Sequence, residues 1–469
     1  MVQFAGTHRS PDTAKLSADA HQGNVQNRGE GVPARRISKP LAEAEEGMAP
    51  RVDTLGISSL ASHMDSEKTS GPGNHIGVTG LVWALLCLRV IVGAVPILER
   101  QRYDVLFIYY QPMALMLVML WLWGANLYVW ARWRLHPSPL FVFDLDDVRT
   151  HLTYTQAFWV AAFLTVLLLT NLAIYSFCAA IGLDQVATCM IVLLYAVPPV
   201  LLVMPFDVLH RRSRFFFLTT LRRIVFPLQP ILFADFFLAD ILTSLSKAIS
   251  DSERALCSMV TAPILEADIS PHSICGSSSW HIPFWLAWPY IARLLQCLRQ
   301  YYDTKDRAAL GNALKYSTAF PVIVMSAMKY HVSAEEWVST YQQLWLFCSL
   351  VNTCYSFYWD VVFDWDFTLF SGRSCFGVKH TGLRNELLYS IGEQSNVGLY
   401  YWLIISNLCL RITWTHKLSS HLRHHRMTTV VVSVFEMLRR FQWTFVRVEK
   451  TYLAMCKSHR LEIERVSVP

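Results

Sequence analysis

The sequence predicts an all-α fold, a polytopic membrane helical bundle of about ten transmembrane helices. Three observations lead there. Hydrophobic residues make up 53% of the 469 residues and charged residues only 16%, where a soluble domain carries about 25% charged residues. Ten apolar runs reach the roughly 20 residues that a helix needs to cross a hydrocarbon core. The alternating pattern of barrel strands is absent, and a helix is the other form that satisfies its own backbone groups in lipid.

The elements follow in chain order. Residues 1–75 contain one aromatic, Phe4, with eight Lys or Arg and nine Asp or Glu. Such a segment buries too little apolar surface to offset its ordering entropy, so a disordered tail is expected. No apolar run follows Met1 as in a signal peptide, and Glu43, Glu45 and Glu46 argue against a transit peptide. The tail is therefore expected to begin and stay in the cytosol. Spans are predicted at 77–98, 104–130, 156–182 and 187–206, nearly charge-free apart from Arg89, giving a four-helix region over 76–228. Six more are predicted at 229–250, 283–298, 311–328, 338–359, 396–415 and 428–446, within a second region of 229–450. Each of these six carries ionisable side chains, and residues 451–469 are read as a cytosolic tail.

With ten spans both termini face the cytosol. The loops then assigned to that side hold 19 Lys or Arg and the opposite loops hold 7, the asymmetry expected of cytoplasmic loops. One loop runs against the trend, with His421, Arg423, His424, His425 and Arg426 on the far side. No Cys or carboxylate accompanies them, so a solvated, titrating loop is expected rather than a metal site.

The net charge of +6, from 41 basic and 35 acidic residues, is too mild an excess for a nucleic-acid footprint. No Gly-rich phosphate loop, GxSxG or HExxH occurs. The chain is read as no enzyme, with no cofactor and no metal. Its eleven cysteines form no CxxC pair. Cys257 and Cys275 both fall in the long non-cytosolic loop of 252–282, where an oxidising compartment would permit a disulfide without requiring one.

The second region concentrates charge at helical spacing. Asp235 and Asp240 interrupt FADFFLADILTSLSK, with Thr243 one turn beyond Asp240. Arg293 follows, then Lys315 and Tyr316, then Asp360 and Asp364 at i and i+4. Arg411 and Trp414 share a face, and Arg439, Arg440 and Trp443 close the series, with Glu436 one turn earlier. A charge at the centre of a span costs about 2.5–3.5 kcal/mol, so such groups must pair or line a wet path. One reading is a structural ion-pair network. The other is an anion path, since guanidinium groups and a lysine can replace the water shell of a phosphate through charge-assisted hydrogen bonds. Asp240 would then accept from the hydroxyl of a partly protonated phosphate and Thr243 would add a neutral contact. Tyr316, Trp414 and Trp443 would wall the path, or serve simply as packing.

At these residues a resemblance appears. The runs FADFFLADILTSLSK, RLLQCLRQYYDTKD, NALKYSTAF, CYSFYWDVVFDWDF, NLCLRITWT and EMLRRFQWTFVRVE resemble the successive signatures of the EXS domain. That domain takes its name from the yeast ER-retention protein, the xenotropic and polytropic retrovirus receptor, and a yeast suppressor of G-protein signalling. The resemblance runs over residues 80–455, with the motifs in the second half. It implies an inorganic phosphate exporter whose later helices surround the path. It places Asp240, Thr243, Arg293, Lys315, Tyr316, Asp364, Arg411, Arg439 and Arg440 on the path and makes Trp414 a gate. Thr243 stands where the animal exporter has an asparagine. The resemblance also implies a Cys257–Cys275 bridge and, as in relatives, a homodimer.

Residues 1–75 do not resemble the basic SPX module of the large exporters, which points to the SPX-less branch around the yeast ER-retention protein. That branch implies a Golgi membrane location, favoured over the plasma membrane. It also implies a second reading, an adaptor that retains or recycles Golgi glycosyltransferases without transport. The partners expected are inorganic phosphate and membrane lipids.

Overall fold

The computed structural model describes residues 73–98, 100–133, 135, 141, 153–261, 263–266, 274–367, 369, 383, 387, 389, 397–418 and 426–467. The tail read as disordered lies, up to residue 72, outside the described residues. So does the His421–Arg426 cluster, except for the backbone of Arg426.

The described residues are all-α. Helix α1 is Gly73–Ala94, α2 Arg100–Arg132, α3 Tyr154–Ala180 and α4 Asp184–Val203. Three stretches are both long and apolar enough to cross a membrane: Val105–Arg132, Tyr154–Ala180 and Asp184–Val203; Thr79–Ala94 is apolar but shorter. Their outer faces stay apolar, with Leu81, Trp83, Leu85, Phe177, Val200 and Val203 each at least half exposed. A surface of that kind marks contact with lipid. Thr153 starts α3 with a reciprocal cap, its Oγ1 accepting from the Gln156 amide at 3.3 Å while Gln156 Oε1 accepts from the Thr153 amide at 2.9 Å. Gly182, at φ +80°, turns the chain from α3 into α4. α3 packs on α1, α2 and α4, and a core around Tyr109, Tyr175, Ile191 and Ala255 ties this group to the next region.

Within 207–228, which the sequence reading leaves as a loop, lies α5, Arg211–Val225. It is strongly amphipathic, which a search for uninterrupted apolar runs passes over. Its buried Arg214 folds back on the end of α4, donating to the carbonyls of Leu201, Leu202 (3.1 Å), Met204 (3.0 Å) and Phe206 (2.6 Å). Leu201 and Leu202 are among the last carbonyls of α4, which a helix end leaves without partners.

Two predicted spans are broken helices. The run 229–250 becomes α6, Phe233–Ser244, and α7, Ser246–Thr261, separated at Leu245. Thr243 Oγ1 donates back to Asp240 O at 2.7 Å, and the Leu245 amide tightens onto Leu242 O at 3.0 Å, so side chain and backbone compete for the last carbonyls. After α8, His281–Thr304, the run 311–328 becomes α9, Arg307–Ser317, and α10, Ala319–Met328. Pro321 has no N–H to reach the Ser317 carbonyl, and Thr318 Oγ1 instead donates to Lys315 O at 2.7 Å.

The turn Ala334–Glu336 and the π-helical turn Trp337–Tyr341 lead into α11, Gln342–Trp359, which ends in a second π turn, Asp360–Asp364. α12, Val397–Arg411, tightens into the 3-10 segment Ile412–Leu418. α13, Arg426–Ser467, is one helix of 42 residues. At 1.5 Å per residue it spans about 63 Å, twice a hydrocarbon core. The region boundary read at residue 450 thus falls inside a continuous helix. An aromatic core containing Trp130, Phe237, Trp365, Tyr400 and Trp443 gathers α2, α6, the second π turn, α12 and α13.

Candidate functional site: a buried cation cluster

The breaks and π turn place polar residues inside the bundle. Ser244, at the end of α6, and Tyr316, in the last turn of α9, both abut breaks. The second π turn holds Asp360 and Asp364 toward Lys315 of α9, while α12 and α13 supply Arg411, Arg439 and Arg440.

Asp240 Oδ1 accepts from Arg293 Nε at 2.8 Å and from the Tyr316 hydroxyl at 2.5 Å. Arg293 lies 4.8 Å from the Tyr316 ring centroid and donates through Nη1 to Gln296 Oε1 at 2.6 Å. Lys315 Nζ bridges Asp360 Oδ1 and Asp364 Oδ2, both at 3.0 Å. Asp360 is the hub: its Oδ2 accepts from Arg411 Nη2 and, at 3.3 Å, from Asn407 Nδ2, with Arg439 Nη1 3.5 Å away. Arg439 is held by Glu436, which accepts from its Nε at 2.9 Å and from its Nη2. Trp443 Nε1 donates to Asp364 Oδ2 at 3.1 Å.

Arg440 differs from the other cations. Its Nε donates to Ser244 Oγ at 3.1 Å and its Nη2 to Thr243 Oγ1 at 2.9 Å, and it lies 4.6 Å from the Trp443 ring centroid. None of these contacts is a carboxylate. Five cations, Arg293, Lys315, Arg411, Arg439 and Arg440, thus face four carboxylates, Asp240, Asp360, Asp364 and Glu436. Arg411 Nε and Arg439 Nη1 are buried donors with no hydrogen-bond acceptor among the described residues. The set thus carries one more cation than carboxylates, with buried N–H donors left over, each costly to keep without an acceptor.

All nine residues read from sequence as path residues converge here, but not in one role. The Thr243 hydroxyl is already committed, donating to Asp240 O and accepting from Arg440, so it positions Arg440. Trp414 stands apart in the 3-10 segment, its Nε1 donating to Thr353 Oγ1 at 2.9 Å and its ring edge-on to Trp345 at 5.6 Å. Asp360, Glu436, Ser244, Gln296 and Asn407 were not assigned to the path from sequence. Asp360 carries a signal, its i, i+4 spacing to Asp364, but the family resemblance does not place it on the path. The three neutral residues carried none. Asp235, flagged with Asp240, serves elsewhere: it accepts from Arg223 Nε at 2.9 Å and from the Leu232 amide at 2.9 Å, tying α5 to the start of α6.

Beyond the cluster, Cys257 and Cys275 are joined by a disulfide, with Cα atoms 5.8 Å apart. Beside it His281 Nδ1 pairs with Glu253 at 2.9 Å.

The EXS family model matches residues 106–453, most of the chain, so the chain belongs to the EXS family. The match takes in α2 to α4 as well as the charged helices. The chain is 30% identical over 356 residues to SPX and EXS domain-containing protein 1 of Dictyostelium discoideum, covering 72% of this chain and 36% of that protein. It is 29% identical over 362 residues to a protein named phosphate transporter PHO1-2 in Oryza sativa subsp. japonica, covering 75% and 41%. It is 31% identical over 410 residues to the xenotropic and polytropic retrovirus receptor 1 homolog of Danio rerio, covering 81% and 55%. The chain thus spans between about a third and somewhat over half of these relatives' lengths.

Proposed function

We propose that the chain is a multi-pass membrane exporter that lets inorganic phosphate cross by facilitated, channel-like diffusion through the cation cluster. The observation that carries this reading is Arg440, a buried guanidinium bonded to hydroxyls in a cluster with one more cation than carboxylates. An arriving phosphate would take the spare donors of Arg411 and Arg439 and compete with Asp360 for them. Ion pairs already satisfied in the empty state keep that binding weak, which conduction requires. The rice relative, named a phosphate transporter, supports phosphate as the anion.

The same proposal includes ten crossings with both termini cytosolic, a four-helix region over 76–228, a six-helix core over 229–450, Trp414 as a gate and a Golgi membrane location. Homodimer formation and contact with glycosyltransferases belong to it as well. The rival, an adaptor without transport, makes the cluster purely structural.

Radiolabelled phosphate efflux from proteoliposomes containing the purified full chain separates the two. Saturable efflux that Arg411→Gln and Arg439→Gln abolish at matched incorporation supports export. Absence of efflux from folded native protein overturns it and puts the adaptor first.

A further inference from the structure

A second polar site lies along the same helices, away from the cluster. Arg440, Glu436, Ser433 and Thr429 recur at intervals of four, three and four along α13, and so share one face. About 16 Å of helix separates Arg440 from Thr429. There a pocket of about 180 Å³ opens between α2, α7 and the start of α13, lined by Phe107, Ile108, Gln111, Lys247, Asp251, Arg254 and Thr429. α7 also carries Cys257, so the pocket lies toward the disulfide end of the molecule.

Its charge is unbalanced. Lys247 pairs with Asp251, which accounts for the one carboxylate among the lining residues. Glu253 is turned to His281. Arg254 donates through Nη2 to Ser277 Oγ at 2.7 Å, and its Nε is buried with no acceptor among the described residues. Arg254, the half-exposed Lys247, Gln111 and Thr429 line one space beside the apolar Phe107 and Ile108 of α2, so two cations meet one carboxylate there.

We infer that this pocket is an anion station for inorganic phosphate at the non-cytosolic mouth of the path, held by Arg254 and Lys247. It rests on the export reading for its role but not for its binding. Lys247 exchanges Asp251 for the anion as it arrives, and the reverse exchange releases it. Two weak stations in series suit conduction better than one tight site.

The test uses the full chain bearing Gln111→Cys, or Thr429→Cys should that variant not fold. A sulfonate-bearing methanethiosulfonate modifies the pocket thiol, read at that position by peptide mass spectrometry. Phosphate is expected to slow modification several-fold, to do so equally in an Arg440→Gln background, and to lose the effect when Lys247→Gln and Arg254→Gln are added. Failure of phosphate to slow it, or protection that survives those two changes, overturns the inference. Efflux measured in parallel keeps the two readings apart. Efflux without protection sinks the pocket and leaves export standing, while protection without efflux sinks export and keeps the anion site.

Discussion

A buried guanidinium that meets hydroxyls and an indole ring but hydrogen-bonds no carboxylate is costly to keep, and that cost separates the two kinds of charge in the cluster. Arg440 has no carboxylate among its contacts, so its desolvation is only partly offset. Arg440→Gln is expected to leave the melting temperature in detergent unchanged or higher. Phosphate affinity should fall about ten- to a hundred-fold, the worth of one charge-assisted hydrogen bond. Phosphate titration of the purified variant reads both. Asp360 is the opposite case, since it holds Lys315 and Arg411 and faces Arg439. Asp360→Asn strands buried cations and should destabilise the fold by about 3–5 kcal/mol, seen as a lowered melting temperature before any transport assay. The sequence spacing exposed Asp360 and Arg440 alike as charges in apolar runs. It could not say which was paired, because pairing joins residues as far apart as 79 positions, as in Arg439 to Asp360.

Elements set these positions through close approach and through controlled ends. Gly311 lets α9 approach α11: a Cβ there would lie 2.7 Å from the Trp359 ring, itself stacked on Phe363 at 4.1 Å and on Tyr355. Gly311→Ala should therefore push α9 away from the second π turn and cost about 1–3 kcal/mol by overpacking. A thermal melt gives the stability, and weakened phosphate binding would report displacement of Lys315. At the other side of the core, Arg214 satisfies four carbonyls at the end of α4. Arg214→Met keeps the stem and removes every donor; Phe206 O keeps the Val208 amide, while the carbonyls of Leu201, Leu202 and Met204 lose this donor, at up to about 1–3 kcal/mol each where they stay buried. Faster proteolysis around residues 203–210 would show that the α4–α5 junction has opened. Neither device was legible beforehand: a glycine in an apolar run and an arginine in a basic loop look ordinary until their neighbours are known.

At the scale of the molecule, the disulfide and the orientation are one question. The Cys257–Cys275 bridge closes a separation of 18 residues, for which the loss of unfolded-state entropy is worth about 3 kcal/mol. Reduction, or the paired change to Ser, should lower the melting temperature by a corresponding step while leaving the cluster assembled. In a variant that keeps only Cys257 and Cys275 of the eleven cysteines, a maleimide shift in sealed Golgi vesicles that needs a membrane-permeant reductant would place the bridge on the luminal side. Labelling after an impermeant reductant would contradict it.

The amino-acid sequence by itself determined the class, the apolar helices α1 to α4 and the residues that carry charge. These are properties of composition, run length and local spacing, readable over windows of a few turns. The tertiary structure decided what those charges do. It split two apolar runs at Leu245 and Thr318, wound a π turn through Asp360–Asp364 and made Asp360 the hub. It also left Arg440 among hydroxyls. The physical reason is that a run of apolar residues states only that a segment avoids water. Which buried cation is neutralised by a carboxylate, and which is left among hydroxyls, depends on the helices that pack beside it.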